Sequence, residues 1–186
     1  YVGEVSEPQE ERLQSIMTKG HYLLSLVREY LDLARMEGGE LQPSFRHVAD
    51  FVRDLLEPSL DVVRTAIEGK GMTLVWELPT EPLTVECDPE LIKIVLVNLL
   101  GNAAKYGREG GQITTSASRE EGSFTVAVRN EGPGFCEQDK AKLFRRFSRL
   151  ESPELKKQKG TGVGLYTAWR ILQVHGGRIW AESQGQ

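Results

Sequence analysis

Three glycines alternate with Thr161 and Val163 in the run Gly160-Thr161-Gly162-Val163-Gly164-Leu165. The run opens a stretch that reads as a helix from Gly162 to His175, closed by Gly176-Gly177. A helix entered through glycines turns free backbone N–H groups toward an anion, with no side chain to hold that anion off. Two common nucleotide folds fail on the spacing. A dinucleotide-binding turn needs a third glycine at position 165, where Leu165 stands, and a strand just upstream. A P-loop needs Gly-Lys followed by Ser or Thr, and no such tripeptide occurs in the 186 residues.

The stretch before the glycines is basic. Between Asp139 and Gly160, Lys140, Lys142, Arg145, Arg146, Arg149, Lys156, Lys157 and Lys159 face only Asp139, Glu151 and Glu154, in a chain of net charge −4. A charge run is usually a solvated face. One that leads straight into a glycine-rich helix start reads better as a mobile lid over polyphosphate. The overall acidity argues against a general nucleic-acid binder. No apolar run reaches the roughly 18 residues of a membrane span, and Tyr1 to Arg12 lacks the pattern of a signal peptide, so no membrane contact is expected. Cys87 and Cys136 read as free thiols in a reducing compartment. His21, His47 and His175 are too scattered for a metal cluster.

Two more features carry chemistry. Asn98, Asn102 and Lys105 share one face of a helix running from its N-cap Asp88 through Ala104. Two carboxamides and an ammonium can hold a metal ion and phosphate oxygens. Asparagine is a poor helix former, and these two sit in an apolar run from Ile94 to Leu100. The other feature is Asn130-Glu131-Gly132-Pro133-Gly134-Phe135, directly after a strand, where glycines permit a tight turn and close approach of a planar ligand.

The rest sets the organisation. Leu13, Ile16, Gly20, Leu23, Val27, Tyr30 and Ala34 follow heptad spacing, with Met17, Leu24 and Leu31 alongside. This predicts one long bundle helix ending near Glu37, before Gly38-Gly39. Further on, Pro43–Val48 reads as a strand and Val48–Glu68 as an amphipathic helix kinked at Pro58. Met72–Leu78 and Leu83–Glu86 read as strands, and Gln112–Ser118 and Ser123–Arg129 as a hairpin. Glu137–Phe147 is a short helix anchored by Phe144 and Phe147, and Arg178–Glu182 a strand. Trp76, Trp169 and Trp180 are expected in the core. The sum is an α+β fold, a two-layer sandwich of a mixed β-sheet covered by helices and preceded by the bundle helix.

Together these residues resemble the catalytic ATP-binding domain of sensor histidine kinases, the Bergerat (GHKL) fold shared with DNA gyrase. Asn98–Tyr106 is similar to that family's N box, Asn130–Phe135 to its first glycine box, Leu143–Arg149 to its F box and Gly160–Leu165 to its second glycine box. The order and spacing fit over roughly residues 41 to 183. The resemblance implies residues 41–186 as the catalytic domain, lacking its last strand, and residues 1–40 as the second helix of a dimerisation and phosphoacceptor bundle. It implies ATP and Mg²⁺ as cofactors, with Asn98 on the metal and Asn102 and Lys105 on the phosphates. Tyr106, Asn130, Gly132 and Gly134 would lie near adenine. Arg146 and Arg149 would be lid cations beside Phe147, and Gly160, Thr161, Gly162, Val163, Gly164 and Leu165 would cradle the phosphates. It further implies phosphoryl transfer to a histidine absent from this chain, relay to a response regulator receiver domain, a homodimer through the N-terminal helix, and a cytoplasmic location for this piece even if its parent is membrane-anchored.

Two positions separate rival readings. In ATPase relatives a Glu that activates water stands where Asn98 is, and an amide cannot take that proton, so the site looks built for transfer. The first glycine box usually opens with Asp, where this chain has Asn130. Asn keeps an acceptor oxygen, which is compatible with a kinase core; a pocket that had lost its base anchor would be a regulatory module acting through protein contacts.

Overall fold

The computed structural model describes residues 42–120, 122–150, 158 and 160–184, and nine of the first forty-one: 6, 9, 10, 12, 13, 16, 17, 20 and 27. The chain divides into two compact units, Tyr1–Leu41 and Gln42–Gln186. In the first unit every described residue from Gln9 onward is helical, and Leu13, Ile16, Met17 and Val27 are exposed. The expected helix end near Glu37 lies outside the described residues, as do Leu23, Tyr30 and Ala34.

The second unit starts with β1 (Arg46–Val48). A π-helical turn, Val52–Leu56, then runs directly into α1 (Glu57–Glu68). The chain continues through β2 (Thr73–Glu77), β3 (Val85–Cys87), α2 (Pro89–Tyr106), β4 (Gln112–Glu120), β5 (Ser123–Asn130), the short α3 (Glu137–Lys140) and α4 (Gly164–Val174). The expected kink is at Pro58, and the π turn lies just upstream of it. Pro58 stands at the start of α1 and has no N–H for an upstream carbonyl, and Glu57 N–H reaches back to Val52 O instead.

β2 and β4 pair in parallel, β4 and β5 antiparallel, so the three-stranded sheet is mixed. β1 and β3 form a separate antiparallel ladder. Ile113, Thr115 and Ala117 alternate inward along β4. They meet Leu56, Leu60, Val63 and Ile67 from the α1 side and Leu96, Leu100, Ala103 and Ala104 from α2 in one apolar core. This is the expected α+β sandwich. The hairpin extends to a Glu120–Ser123 pair and turns through Gly122 at φ 76°.

Three local expectations are corrected. Residues 177–184 form no strand, although the alternation is there: Ile179 and Ala181 are half-buried, Arg178, Trp180 and Glu182 exposed. A strand exists through a partner's backbone groups, and no ladder reaches this segment. The helix expected over Glu137–Phe147 stops at Lys140. Beyond it Lys142, Leu143, Arg145 and Ser148 each bond back three residues, the tighter 3₁₀ pattern, and Phe147 takes a left-handed φ of 57° that no α-helix accepts. Phe147 is therefore exposed rather than an anchor, and Trp76 and Trp180 are also exposed, not core. Trp169 is half-buried beside Tyr166.

Candidate functional site

α2 is the platform. Asp88 caps its first turn, accepting from the backbone N–H groups of Glu90 and Leu91, with Pro89 where no N–H is needed. One side is buried through Val95, Leu96, Leu100, Ala103 and Ala104. Asn98, Asn102, Lys105 and Tyr106 are half-buried. The Asn98 Nδ2 group donates to Ile94 O at 2.9 Å, which commits the amide nitrogen to the helix and leaves Oδ1 as the outward-facing acceptor.

The glycines show what lies against that platform. A Cβ placed on Gly164 would land on Asn98 Oδ1, and one on Gly160 would land on Lys105 Nζ. One on Gly132 would strike Tyr106 O and lie 2.8 Å from Asn130 Nδ2. One on Gly162, at φ 75°, would lie 2.5 Å from Ser148 O and 2.9 Å from the Phe147 carbonyl carbon. The asparagine helix, both glycine-rich turns and the start of the lid are thus in backbone-close contact, and only residues without a side chain fit where they meet. The same pairs fix the direction of α4, which runs antiparallel to α2.

Each turn has its own fastening. Val163 N–H bonds the Thr161 hydroxyl at 3.3 Å, and the helix starts at Gly164, two residues later than the sequence suggested. Leu165 is half-buried in its first turn. Asn130 ends β5 opposite Ile113, and Gly134 has φ 68°. Arg146 lies over the Phe147 ring at 4.8 Å, and Arg149 donates to Gln158 O. Lys156, Lys157 and Lys159 lie outside the described residues. Lys105 Nζ sits 4.7 Å from the centre of the Tyr106 ring.

Two fastenings were missed by sequence reasoning. Lys70, in the Gly69-Lys70-Gly71 run between α1 and β2, donates to Lys105 O at 2.6 Å and Gly107 O at 3.0 Å. A cation there satisfies the last carbonyls of α2 and faces the negative end of its dipole. Arg108 bridges to Glu131 at 2.6 Å, and the same carboxylate accepts from Gln112 N–H. The first glycine-rich turn is thereby tied to the end of α2. No periodicity marks either contact; both depend on where loops meet.

Charge at the other end of α2 is set by its cap. Burial alone would raise the Asp88 carboxyl, but N–H bonds from Ser44, Leu91 and Glu90, with His175 adding to them, hold it below the ordinary value. Cys87 beside it is buried, and desolvation pushes its thiol up to about 11. No group of three His, Cys, Asp or Glu side chains that could hold a metal occurs among the described residues.

The family profile described as "Histidine kinase-, DNA gyrase B-, and HSP90-like ATPase" matches residues 87–186, just over half of the chain. The chain belongs to that family. Within it, its relatives are sensor histidine kinases, and this is a catalytic ATP-binding domain of their type. Sensor histidine kinase WalK of Bacillus subtilis is 35% identical over 164 residues, 87% of this chain and 26% of WalK. The catalytic domain of histidine kinase ThkA matches with a TM-score of 0.65 at 30% identity, over 76% of this chain and 88% of that one. Full-length ShkA in complex with AMPPNP has a TM-score of 0.79 over 99% of this chain and 38% of its own; at 24% identity this concerns the fold alone. The chain spans only 20% to 30% of the length of curated relatives such as WalK and the Caulobacter vibrioides kinase DivJ. No helix among the described residues is long and apolar enough to cross a membrane.

Proposed function

We propose that this chain is the kinase core of a sensor histidine kinase, holding Mg-ATP for transfer of its γ-phosphoryl group to a histidine on a helix other than those described. A response regulator aspartate then takes the phosphoryl group. Residues 42–186 supply the nucleotide site. Residues 1–40 supply the second helix of a dimerisation bundle, through which two copies associate, and the ATP requirement places the domain in the cytoplasm.

The observation that carries this is the pair of contacts joining α4 to α2. Gly164 packs against Asn98 Oδ1 and Gly160 against Lys105 Nζ, so an acceptor oxygen and an ammonium of α2 lie beside the glycine-rich turn that opens α4. That set suits a magnesium triphosphate. Mg²⁺ takes oxygen ligands and keeps several of them as water or phosphate, so one carboxamide oxygen and no carboxylate cluster fits its needs. Asn98 would hold the ion, which would neutralise charge that develops in transfer. Asn102 and Lys105 hold the phosphates with the backbone from Gly160 through Leu165, including Thr161, Gly162, Val163 and Gly164. Asn130, Gly132, Gly134 and Tyr106 line the base end. Arg146, Phe147 and Arg149 belong to the closing lid.

The site has no general base at Asn98, because a carboxamide does not accept a proton at neutral pH. Its residues position and neutralise, which is most of what phosphoryl transfer asks of a protein. Isothermal titration with a non-hydrolysable ATP analogue, with and without Mg²⁺, tests the binding half. We expect Mg²⁺-dependent binding, and Asn130→Asp to tighten it by up to about tenfold through a charge-assisted bond to the base. Absence of binding that Asn130→Asp restores would overturn the kinase reading in favour of a regulatory module. Phosphohistidine on a separately supplied phosphoacceptor helix tests the transfer half.

A further inference from the structure

The far end of α4 holds a contact that the nucleotide site does not use. His175 caps that helix, and both of its ring nitrogens are engaged. Nδ1 lies 2.8 Å from Ile171 O, a bond it makes only as donor. Nε2 lies 3.1 Å from the backbone nitrogen of Asp88, a bond it makes only as acceptor. The two together fix one neutral tautomer. Asp88 is the cap of α2, and its carboxylate also accepts from Ser44 N–H at 2.8 Å. The ring of Phe45 sits 5.2 Å from the imidazole. One histidine thus joins the last turn of α4, the first turn of α2 and the segment entering β1.

The spacing makes this a matter of register. Asp88 to Asn98 is ten residues along α2, about 15 Å of rise, and Gly164 to His175 is eleven along α4, about 16 Å. Two antiparallel helices pinned at His175 and Asp88 therefore bring Gly164 level with Asn98. Sliding α4 along its axis by about 1.5 Å, the rise of one residue, would take Gly164 out of level with Asn98 Oδ1. Apolar packing between the helices does not by itself forbid such a slide. Thr167, Ala168 and Ile171 are the buried residues of α4, and their packing is less directional than the hydrogen bond from Asp88 N–H to His175 Nε2 at 3.1 Å.

We propose that His175 is a positioning residue: it latches α4 to the cap of α2 and sets the axial register in which Gly164 meets Asn98 Oδ1. Its consequence for nucleotide binding rests on the function proposed above; its consequence for register does not.

The experiment separates these. The Gly164 Cβ position lies 3.9 Å from Asn98 Cβ, within the range that a disulfide spans, so an Asn98→Cys/Gly164→Cys pair reports register without nucleotide. Cys136 is exposed and is changed to Ser in this background; Cys87 is buried with its thiol held protonated, and stays. Three changes at the latch are compared by the rate of disulfide closure in mild oxidant. His175→Phe keeps a ring and no nitrogen. His175→Asn keeps a donor for Ile171 O and falls short of Asp88. His175→Gln carries an acceptor at the Nε2 position. We expect Phe and Asn to slow closure about fivefold or more, the effect of one lost hydrogen bond, and Gln to recover most of the rate. Unchanged closure in both His175→Phe and His175→Asn would overturn the latch, and so would equal slowing in His175→Gln.

The second readout uses the chain with Asn98 and Gly164 intact. His175→Asn should weaken Mg-ATP about fivefold and adenosine less than twofold, because only the phosphate end depends on Gly164 meeting Asn98. Equal loss for both ligands would mean general loosening and would count against positioning. If the unsubstituted chain binds neither ligand, the function proposed above fails, and disulfide closure still decides the register.

Discussion

α2 and the segment that follows β5 both belong to the proposed nucleotide site, yet they are held by opposite means. α2 has Leu100 fully buried, a capping carboxylate at one end and the Lys70 ammonium at the other. The segment from Glu137 to Gly162 has no buried side chain among its described residues. It is held by exposed ion pairs, by the Arg149 contact to Gln158 and by the backbone approach at Gly162. Free energy of folding sits in the first, and readiness to rearrange sits in the second. The lesson is that a phosphate site needs both. Its polar side chains must be fixed in advance, while the part that covers the ligand must open and close. Damage to the two should therefore look different.

The largest effect is expected in the platform. Leu100→Ala removes a fully buried side chain between α2 and the sheet, and should cost about 2–5 kcal/mol. Urea unfolding followed by circular dichroism measures it, and nucleotide affinity should fall only as the folded fraction falls. A loss below 1 kcal/mol would mean that the core closes around the gap, and the contrast between the two regions would weaken.

Gly162→Ala comes next and belongs to the other region. Position 162 has φ 75° and its Cβ would press on the backbone of Phe147 and Ser148, which cannot swing aside as a side chain can. The left-handed backbone costs of order 1 kcal/mol for alanine. The larger result should be in binding, with Mg-ATP weakened about tenfold or more while the urea midpoint moves little. If stability and affinity fell together as in Leu100→Ala, the lid would have to be counted as part of the platform.

The same division explains what could be read from the sequence. Ile94 to Leu100, the alternation along Gln112–Ser118 and the Asp88 cap are local patterns with a helical or strand period, and each became the element they suggest. Asn98, Asn102 and Lys105 stand out in the sequence as a polar face in an apolar helix, and all three are half-buried on α2. The lid was not legible in the same way. Its short helix stops at Lys140, and Phe147 takes a left-handed backbone next to Gly162, a contact that no local pattern announces. Lys70, Arg108 and His175 act across 35, 23 and 87 residues of chain, and no window of sequence joins those ends. Arg178–Glu182 shows the converse: the alternation is correct, and without a ladder partner it makes no strand.

A smaller effect should appear in acid. Asp88 is held below the ordinary carboxylate value of 3.8, so it binds a proton less readily folded than unfolded. Its charge therefore stabilises the fold at pH above that range, and the contribution is lost as pH falls through the unfolded and then the lowered folded value. Asp88→Asn keeps a competent cap and removes the charge, which at a helix N-terminus is worth about 0.5 kcal/mol. The difference between Asp88 and Asn in urea midpoint should be present at pH 7 and shrink as pH falls below the ordinary carboxylate value of 3.8. A difference that persists undiminished in acid would show that the carboxylate acts through shape alone.

The smallest effect should come from the lid's own ion pair, and it is the sharpest test of the contrast. Lys142 Nζ lies 2.9 Å from Asp139 Oδ1, and Asp139 is held below its ordinary value by that bond first and by the Cys136 thiol second. A shifted carboxyl invites the conclusion that the pair stabilises the domain. Exposure argues otherwise, because the Lys142 side chain is in water and Asp139 only half-buried, so screening and the entropy of a long lysine side chain cancel most of the attraction. Lys142→Ala should leave the urea midpoint within measurement error at both 50 mM and 500 mM salt. A clear, salt-dependent drop would mean that the pair is coupled to the platform through α3, and that the lid contributes to folding as α2 does.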